Sequence, residues 1–262
     1  MDEAASVRLS VAARFLIAVQ FLTRLSVWRL LPEQANHAGA LRQAMPFLPL
    51  AGALVGSITA GCYWLAALIW PAWIAVLLAL AVEALLTGAL HEDAVADFCD
   101  AFGGGWSRED IERILKDSRV GSYGTVGLLL GIGLRAGAMM QLSSGVAMWA
   151  IIAAAALGRW LVLPITWALP PVPGRDGLAK DLDHRHGLSD LILGTCLTAP
   201  IVAPAILLAP ARAAAGIMLA LLFACWLTHH VRRRLGGVTG DILGAACFGG
   251  QLAFLLALAA NI

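Results

Sequence analysis

The chain has 262 residues, of which 60% are hydrophobic and only 13% charged, with a formal net charge of +1 and a mean hydropathy of +0.81. Soluble domains carry about 25% charged residues, so this composition excludes a disordered chain and an ordinary soluble enzyme. The neutral balance also gives no reason to expect nucleic acid as a partner. The fold class expected is all-α, a polytopic membrane helix bundle forming one domain, because the apolar stretches are continuous and lack the alternation of a transmembrane barrel.

Taken in chain order, residues 9–31 are apolar but contain Arg14, Arg24 and Arg29. An arginine at mid-membrane costs about 2.5–3.5 kcal/mol. The segment is therefore expected to lie in the interface as an amphipathic helix rather than to make an eighth span. Asp2, Glu3 and these arginines also argue against a signal peptide. A spanning helix needs about 20 apolar residues, and such stretches run near 46–69, 73–90, 122–142, 146–169, 189–209, 212–230 and 241–260. These predict seven spans. The second is short and holds Glu83, which puts its lower end near the interface.

The connections at 70–72, 143–145 and 210–211 are nearly uncharged. Those at 91–121, 170–188 and 231–240 are basic: Arg108, Arg113, Lys116 and Arg119; Arg175, Lys180 and Arg185; Arg232, Arg233 and Arg234. Seven spans place the three basic connections on one face, which the positive-inside rule makes cytoplasmic. The acids share that face. Of 17 Asp and Glu, those from Glu92 to Asp117 form the densest group, followed by Asp176, Asp181, Asp183 and Asp190, and by Asp241 at the start of the last span. A transporter would place acids mid-span. Glu83 is the one acid that sits there, so a cation or cofactor transporter is disfavoured. The five cysteines are scattered and predict neither a disulfide framework nor a zinc cluster.

The strongest chemical signal is 91-HEDAVADFCDAFGGG-105. Asp93, Asp97 and Asp100 fall at i, i+4 and i+7, one face of a helix. Like charges at that spacing destabilise a helix by a few tenths of a kcal/mol, a cost that a bridging divalent cation reverses. Hard oxygen donors select Mg²⁺, Mn²⁺ or Ca²⁺, and Mg²⁺ takes one or two carboxylates plus substrate phosphates. The competing reading is a solvated acidic face.

The second signal is 116-KDSRVGSYG-124. Lys116 and Arg119 suit phosphate oxygens, Asp117 suits the metal shell or a proton acceptor, and the backbone near Gly121 suits an oxyanion. A basic collar anchoring a helix end is the alternative. Arg159 lies within a predicted span, where an arginine either serves a ligand or pairs with a buried acid such as Glu83. Asp241 either caps the last helix or faces the same ligand. His184 and His186 fit a solvated loop better than a metal site. Arg232, Arg233 and Arg234 read as a topology signal, and the glycines of 121–137 as a close-packing face.

Together the blocks 21-FLTRLSV-27, 46-PFLPLAGALVG-56, 90-LHEDAVADFCDAF-102, 115-LKDSRVGSYG-124, Arg159, 175-RDGLA-179 and 239-TGDILGA-245 resemble the cobalamin synthase family over nearly the whole chain. The family motif His-x-Asp-Gly-x-x-Asp-x-x-Asp is carried by His91, Asp93, Asp97 and Asp100, with Ala94 in place of the glycine. Family members carry acids in the last span where this chain has Phe248 and Gln251, and 24-RLSVWRL-30 departs from their Arg-Leu-Pro-Val-Pro.

The resemblance implies a multi-pass, Mg²⁺-dependent transferase of the bacterial cytoplasmic (inner) membrane with its active site facing the cytoplasm. It would join adenosylcobinamide-GDP to α-ribazole, or α-ribazole 5′-phosphate, to give adenosylcobalamin or its 5′-phosphate and GMP. Asp93, Asp97 and Asp100 are then the expected metal ligands, and His91 or Asp117 the proton acceptor. Lys116, Arg119, Arg159, Arg175 and Asp241 are the expected phosphate and substrate contacts. The expected partners are the two substrates and the lipid bilayer, with self-association into a homo-oligomer left open. A CDP-alcohol phosphotransferase is the nearest alternative, but its motif needs an arginine that the acidic run lacks before Arg108. A prenyltransferase would need a second Asp-rich helix, for which 181-DLDHRHGLSD-190 is a poor copy.

Overall fold

The computed structural model describes residues 8–36, 39–172 and 187–261, in which every regular element is a helix. The first, α1 (Val11–Leu22), is capped by Ser10, whose hydroxyl accepts from the Ala13 N–H. Its 12 residues reach about 18 Å at 1.5 Å per residue, short of the ~30 Å hydrocarbon core. It makes no eighth span. Instead it turns Ala13, Ile17, Ala18, Val19 and Leu22 inward against α2 (Ala40–Ala44) and α3 (Leu48–Ala67).

Six stretches are long and apolar enough to cross a membrane. They are Ala40–Ala67, which runs through α2 and α3; α7 (Ser122–Gln141); Gly145–Ala168, which runs through α8 (Ser144–Trp160) and α9 (Val162–Ala168); α10 (Leu188–Leu208); α11 (Pro210–Arg234); and α12 (Gly240–Ala259). Large apolar side chains such as Leu129, Leu130, Leu207 and Leu222 cover the outside, as a lipid-facing surface requires. Inside, α8 is sandwiched between α3 and α12, with Gly52 and Gly56 against Ala155 and Ile152. Small residues at a crossing let helix backbones approach closely.

The expected span at 73–90 is bent. Its first part, α4 (Ala72–Thr87), turns by 89° into α5 (Leu90–Gly104). Gly88 (φ 69°) and Ala89 (φ 57°) are both left-handed. Glycine adopts that conformation freely, whereas alanine does so at a cost of about 1–2 kcal/mol. The Arg24 guanidinium lies against Gly88, where a side chain would collide, and the Arg24 N–H donates to the Leu86 carbonyl at 2.7 Å. Counting the bent pair as one span gives seven.

Two connections are more ordered than the sequence suggests. Residues 91–121 hold α5 and a short α6 (Arg108–Ile114), whose Arg108–Glu112 and Arg113–Asp110 pairs are exposed. The expected span at 212–230 ends before the helix does: α11 continues through Arg234, because cations in a last turn meet its unpaired carbonyls favourably.

The intramembrane charges form one network. Glu83 Oε2 lies 2.6 Å from Arg135 Nη2 and accepts from the Thr59 hydroxyl at 3.2 Å. Arg135 also donates to Gln251 Oε1 at 3.0 Å, and Arg159 Nη2 lies 3.9 Å from Glu83 Oε1. All five side chains are buried. The network joins α3, α4, α7, α8 and α12, so Glu83 and Arg135 hold the bundle together.

Candidate active site

The acidic motif is helical, as its spacing predicts. Asp93 is exposed, Asp97 and Asp100 are half-buried, and His91 is buried beneath them. Asp93 and Asp100 are separated by about 10 Å along the axis. Ala94 rests its methyl on Gly244 of α12, which brings Asp241, at the start of α12, alongside the acidic helix. His91, Asp93, Arg159 and Asp241 line one cavity of about 200 Å³, walled by Phe21, Met45, Leu48, Leu90, Val162 and Leu243. Thr239 caps α12 through its hydroxyl, which accepts from the Ile242 N–H at 3.4 Å, so the cap is not Asp241.

At the other end of the acidic face, Asp100 also anchors α7. Its Oδ2 accepts from the Gly121 N–H at 2.7 Å and its Oδ1 from the Gly124 N–H at 2.8 Å. It neutralises the N-terminus of α7, which has no capping side chain of its own. A side chain at Gly124 would collide with this carboxylate, so the glycine here is needed for a close approach. The backbone at 121–124 does hold an oxyanion, and that oxyanion is Asp100.

An open cleft of about 430 Å³ adjoins this anchor and includes Asp117, Arg119, Ser122 and Tyr123. Arg119 grips Asp117 as a fork, with Nε to Oδ1 at 2.9 Å and Nη2 to Oδ2 at 2.6 Å, and its backbone N–H adds a third bond to Oδ1 at 3.1 Å. These bonds pull the Asp117 carboxyl down to about 2. Lys116 is exposed beside them. Cavity and cleft thus lie at the two ends of the acidic face of α5.

Arg234, one of the three arginines of the topology signal, also holds the end of α5 in place. It donates to the carbonyls of Phe102 (2.9 Å) and Gly105 and lies over the Phe102 ring, closing the C-terminal end of α5. Arg232 donates to the Ala168 carbonyl at 2.9 Å, and Pro170 and Val172 pair with Val238. Arg175, Lys180, Asp181, Asp183, His184, Arg185 and His186 lie outside the described residues. Among the described residues, no three His, Cys, Asp or Glu side chains converge tightly enough to hold a metal alone. The carboxylates at the cavity, Asp93 and Asp241, are hard oxygen donors of the kind a divalent cation takes.

Fold and site define a multi-pass helical membrane protein with an acid-lined and arginine-lined site where several helix ends meet. Residues 14–259 match the family described as cobalamin-5-phosphate synthase. The chain is 39% identical to the adenosylcobinamide-GDP ribazoletransferase of Leptothrix cholodnii, with 90% of each chain covered. It is 40% identical to that of Rhizobium etli, over 92% of this chain and 94% of the relative. It is 36% identical to that of Bradyrhizobium diazoefficiens, over 96% and 95%. No solved structure matches the chain. The chain belongs to the cobalamin-5-phosphate synthase family and is an enzyme.

Proposed function

We propose that the chain joins adenosylcobinamide-GDP to α-ribazole, or its 5′-phosphate, and releases GMP, at the cytoplasmic face of the bacterial inner membrane. The observation that carries this reading is the meeting of Asp93, Asp241 and Arg159 at one cavity, in a chain whose relatives bear that activity in their names. The reaction is phosphoryl transfer at a pyrophosphate, for which a protein chiefly supplies positioning and charge neutralisation.

Asp93, Asp97 and Asp100 are the carboxylates assigned to Mg²⁺, with Asp241 near Asp93 at the cavity; each Asp100 oxygen accepts one N–H of α7 and keeps a lone pair for the ion. Bound Mg²⁺ supplies Lewis-acid neutralisation of the pyrophosphate oxygens. Arg119 and Lys116, on the cleft side, meet the phosphate of the leaving GMP, and Asp117 sets the orientation of the Arg119 fork. Arg175 is kept as a contact to the GDP-activated corrinoid.

A ribose hydroxyl of the acceptor must lose a proton as it attacks. Asp117 is a weak acceptor, since Arg119 holds it ionised down to about pH 2. His91 lines the cavity and is assigned this role. Removing a positioned base typically costs about 10²–10⁴-fold, so His91→Gln is expected to lower kcat/KM at least a hundredfold and Asp117→Asn by much less. The reverse order of losses in steady-state kinetics would exchange the two roles.

The topology gives an independent expectation. Ser107→Cys and Leu188→Cys should resist an impermeant thiol reagent in intact cells and react after permeabilisation. Labelling of either from outside would contradict the seven-span arrangement. The activity itself is tested with purified protein in nanodiscs, adenosylcobinamide-GDP, α-ribazole and Mg²⁺. One GMP should appear for each corrinoid joined. Release of CMP from a CDP-alcohol instead, or of no nucleotide at all, would contradict the reading.

A further inference from the structure

The buried network around Glu83 does not balance. It sets two arginines, Arg135 and Arg159, against one carboxylate, and buried charges are normally paired. Four of its donors, Arg135 Nε, Arg159 Nε, Arg159 Nη2 and Gln251 Nε2, have no acceptor. Buried donors are rarely left so. One acceptor in the same region is equally without a partner. Glu92 Oε2, on α5, is sealed from solvent and receives no hydrogen bond, and Glu92 lies within electrostatic reach of Glu83, Arg135 and Arg159. No step of the transfer uses it.

The packing of α5 on α7 shows where Glu92 faces. The two helices pass in opposite directions. Asp100 meets Gly121 and Gly124, and Cys99 and Val95 meet Gly127. Next, the Phe248 ring fills the space at Gly131 and packs against Val95. Glu92 precedes Val95 by three residues, so it continues that side of α5 one turn further along. Arg135 follows Gly131 by four residues, and helical side chains lean back toward the helix N-terminus. Its guanidinium accordingly lies 5.8 Å from the centre of the Phe248 ring. The rung after Phe248 is thus Glu92 with Arg135.

We infer that Glu92 is the second carboxylate of the buried network, paired with Arg135, and that through this pair it is a positioning residue for the acids of α5. The positioning role rests on the assignment of the divalent ion to α5 made above. The contact is made directly or through one ordered water. Its mechanical consequence follows from the helix. The left-handed residues Gly88 and Ala89 break the chain before α5, so the rotation of α5 is set by what holds it. Asp100 and Arg234 hold its C-terminal half, and Glu92 holds its first turn. Successive residues of a helix point about 100° apart. Turning Glu92 inward to Arg135 therefore turns Asp93 outward to the cavity that it shares with Asp241.

Glu92→Gln keeps the shape of the side chain and removes its charge. In nanodiscs with GDP present, Mn²⁺ should bind this variant about 10–100-fold more weakly than wild type, the usual effect of losing a residue that orients metal ligands. Arg135→Lys keeps the cation but replaces the guanidinium fork by one ammonium, which cannot serve both Glu83 and Glu92. It should weaken Mn²⁺ to a similar extent, although a cation cannot itself ligate the ion. The double variant should bind no more weakly than the weaker single variant, because both residues act through one contact. Losses that multiply in the double variant would make Glu92 a direct ligand and overturn the inference. Wild-type Mn²⁺ affinity in Glu92→Gln overturns it as well, leaving Glu92 a structural residue. Thermal unfolding without metal separates the contact from the metal reading. Glu92→Gln should lower the midpoint in the wild-type background and leave it unchanged in the Arg135→Lys background. Equal losses in the two backgrounds overturn the contact. If wild type binds no Mn²⁺ while the unfolding pattern holds, the ion assignment fails and the positioning role with it, and the Glu92–Arg135 pair stands.

Discussion

Asp97→Asn is expected to lower turnover at least a hundredfold, about 2.7 kcal/mol of transition-state stabilisation. The substitution keeps volume and polarity and removes the charge that a hard cation needs. Asp100 provides the internal contrast. Its two oxygens hold the N–H groups of Gly121 and Gly124, so Asp100→Ala should also destabilise the fold, by about 0.5–2 kcal/mol as for a lost helix cap. Kinetics and thermal unfolding of both variants check the division. Asp97→Asn with full turnover would contradict the metal assignment, and Asp100→Ala with unchanged stability would contradict the anchoring of α7.

The second large effect concerns stability. Glu83→Gln leaves Arg135 and Arg159 buried without a carboxylate between them. Breaking a buried pair by removing one partner costs about 3–5 kcal/mol, chiefly through the charge left behind. Glu83→Gln should therefore unfold far more readily in detergent. The double variant Glu83→Gln with Arg135→Gln should recover part of the loss, since neighbours in one network are not additive. A Glu83→Gln protein as stable as wild type would show that the network does not hold the bundle together.

Much of this architecture is legible in the sequence, for a physical reason. A bilayer demands long apolar runs, so six crossings can be placed within a few residues from hydropathy. The period of Asp93, Asp97 and Asp100 likewise reports a helix face without knowledge of the fold. The bend before α5 is less legible. Gly88 permits it, but nothing in Ala89 announces a left-handed backbone, which the surrounding packing and Arg24 impose. Tertiary pairing is least legible. Glu83 and Arg135 are 52 residues apart, and each reads alone as an intramembrane charge whose partner is unnamed. The same applies to Asp100, whose spacing suits a metal ligand while its oxygens hold a helix end 21 and 24 residues away. Arg234 shows the limit of a charge rule. Three adjacent arginines satisfy the positive-inside pattern equally, and only the fold shows which one closes α5.

The central claim is that the acidic face of α5 carries the divalent ion. Its most direct test is electron paramagnetic resonance of Mn²⁺, titrated into the protein in nanodiscs with GDP present to supply phosphate oxygens. The account predicts one bound Mn²⁺ per wild-type chain and loss of that site in the double variant Asp93→Asn with Asp97→Asn. Equal Mn²⁺ affinity in wild type and double variant would contradict it.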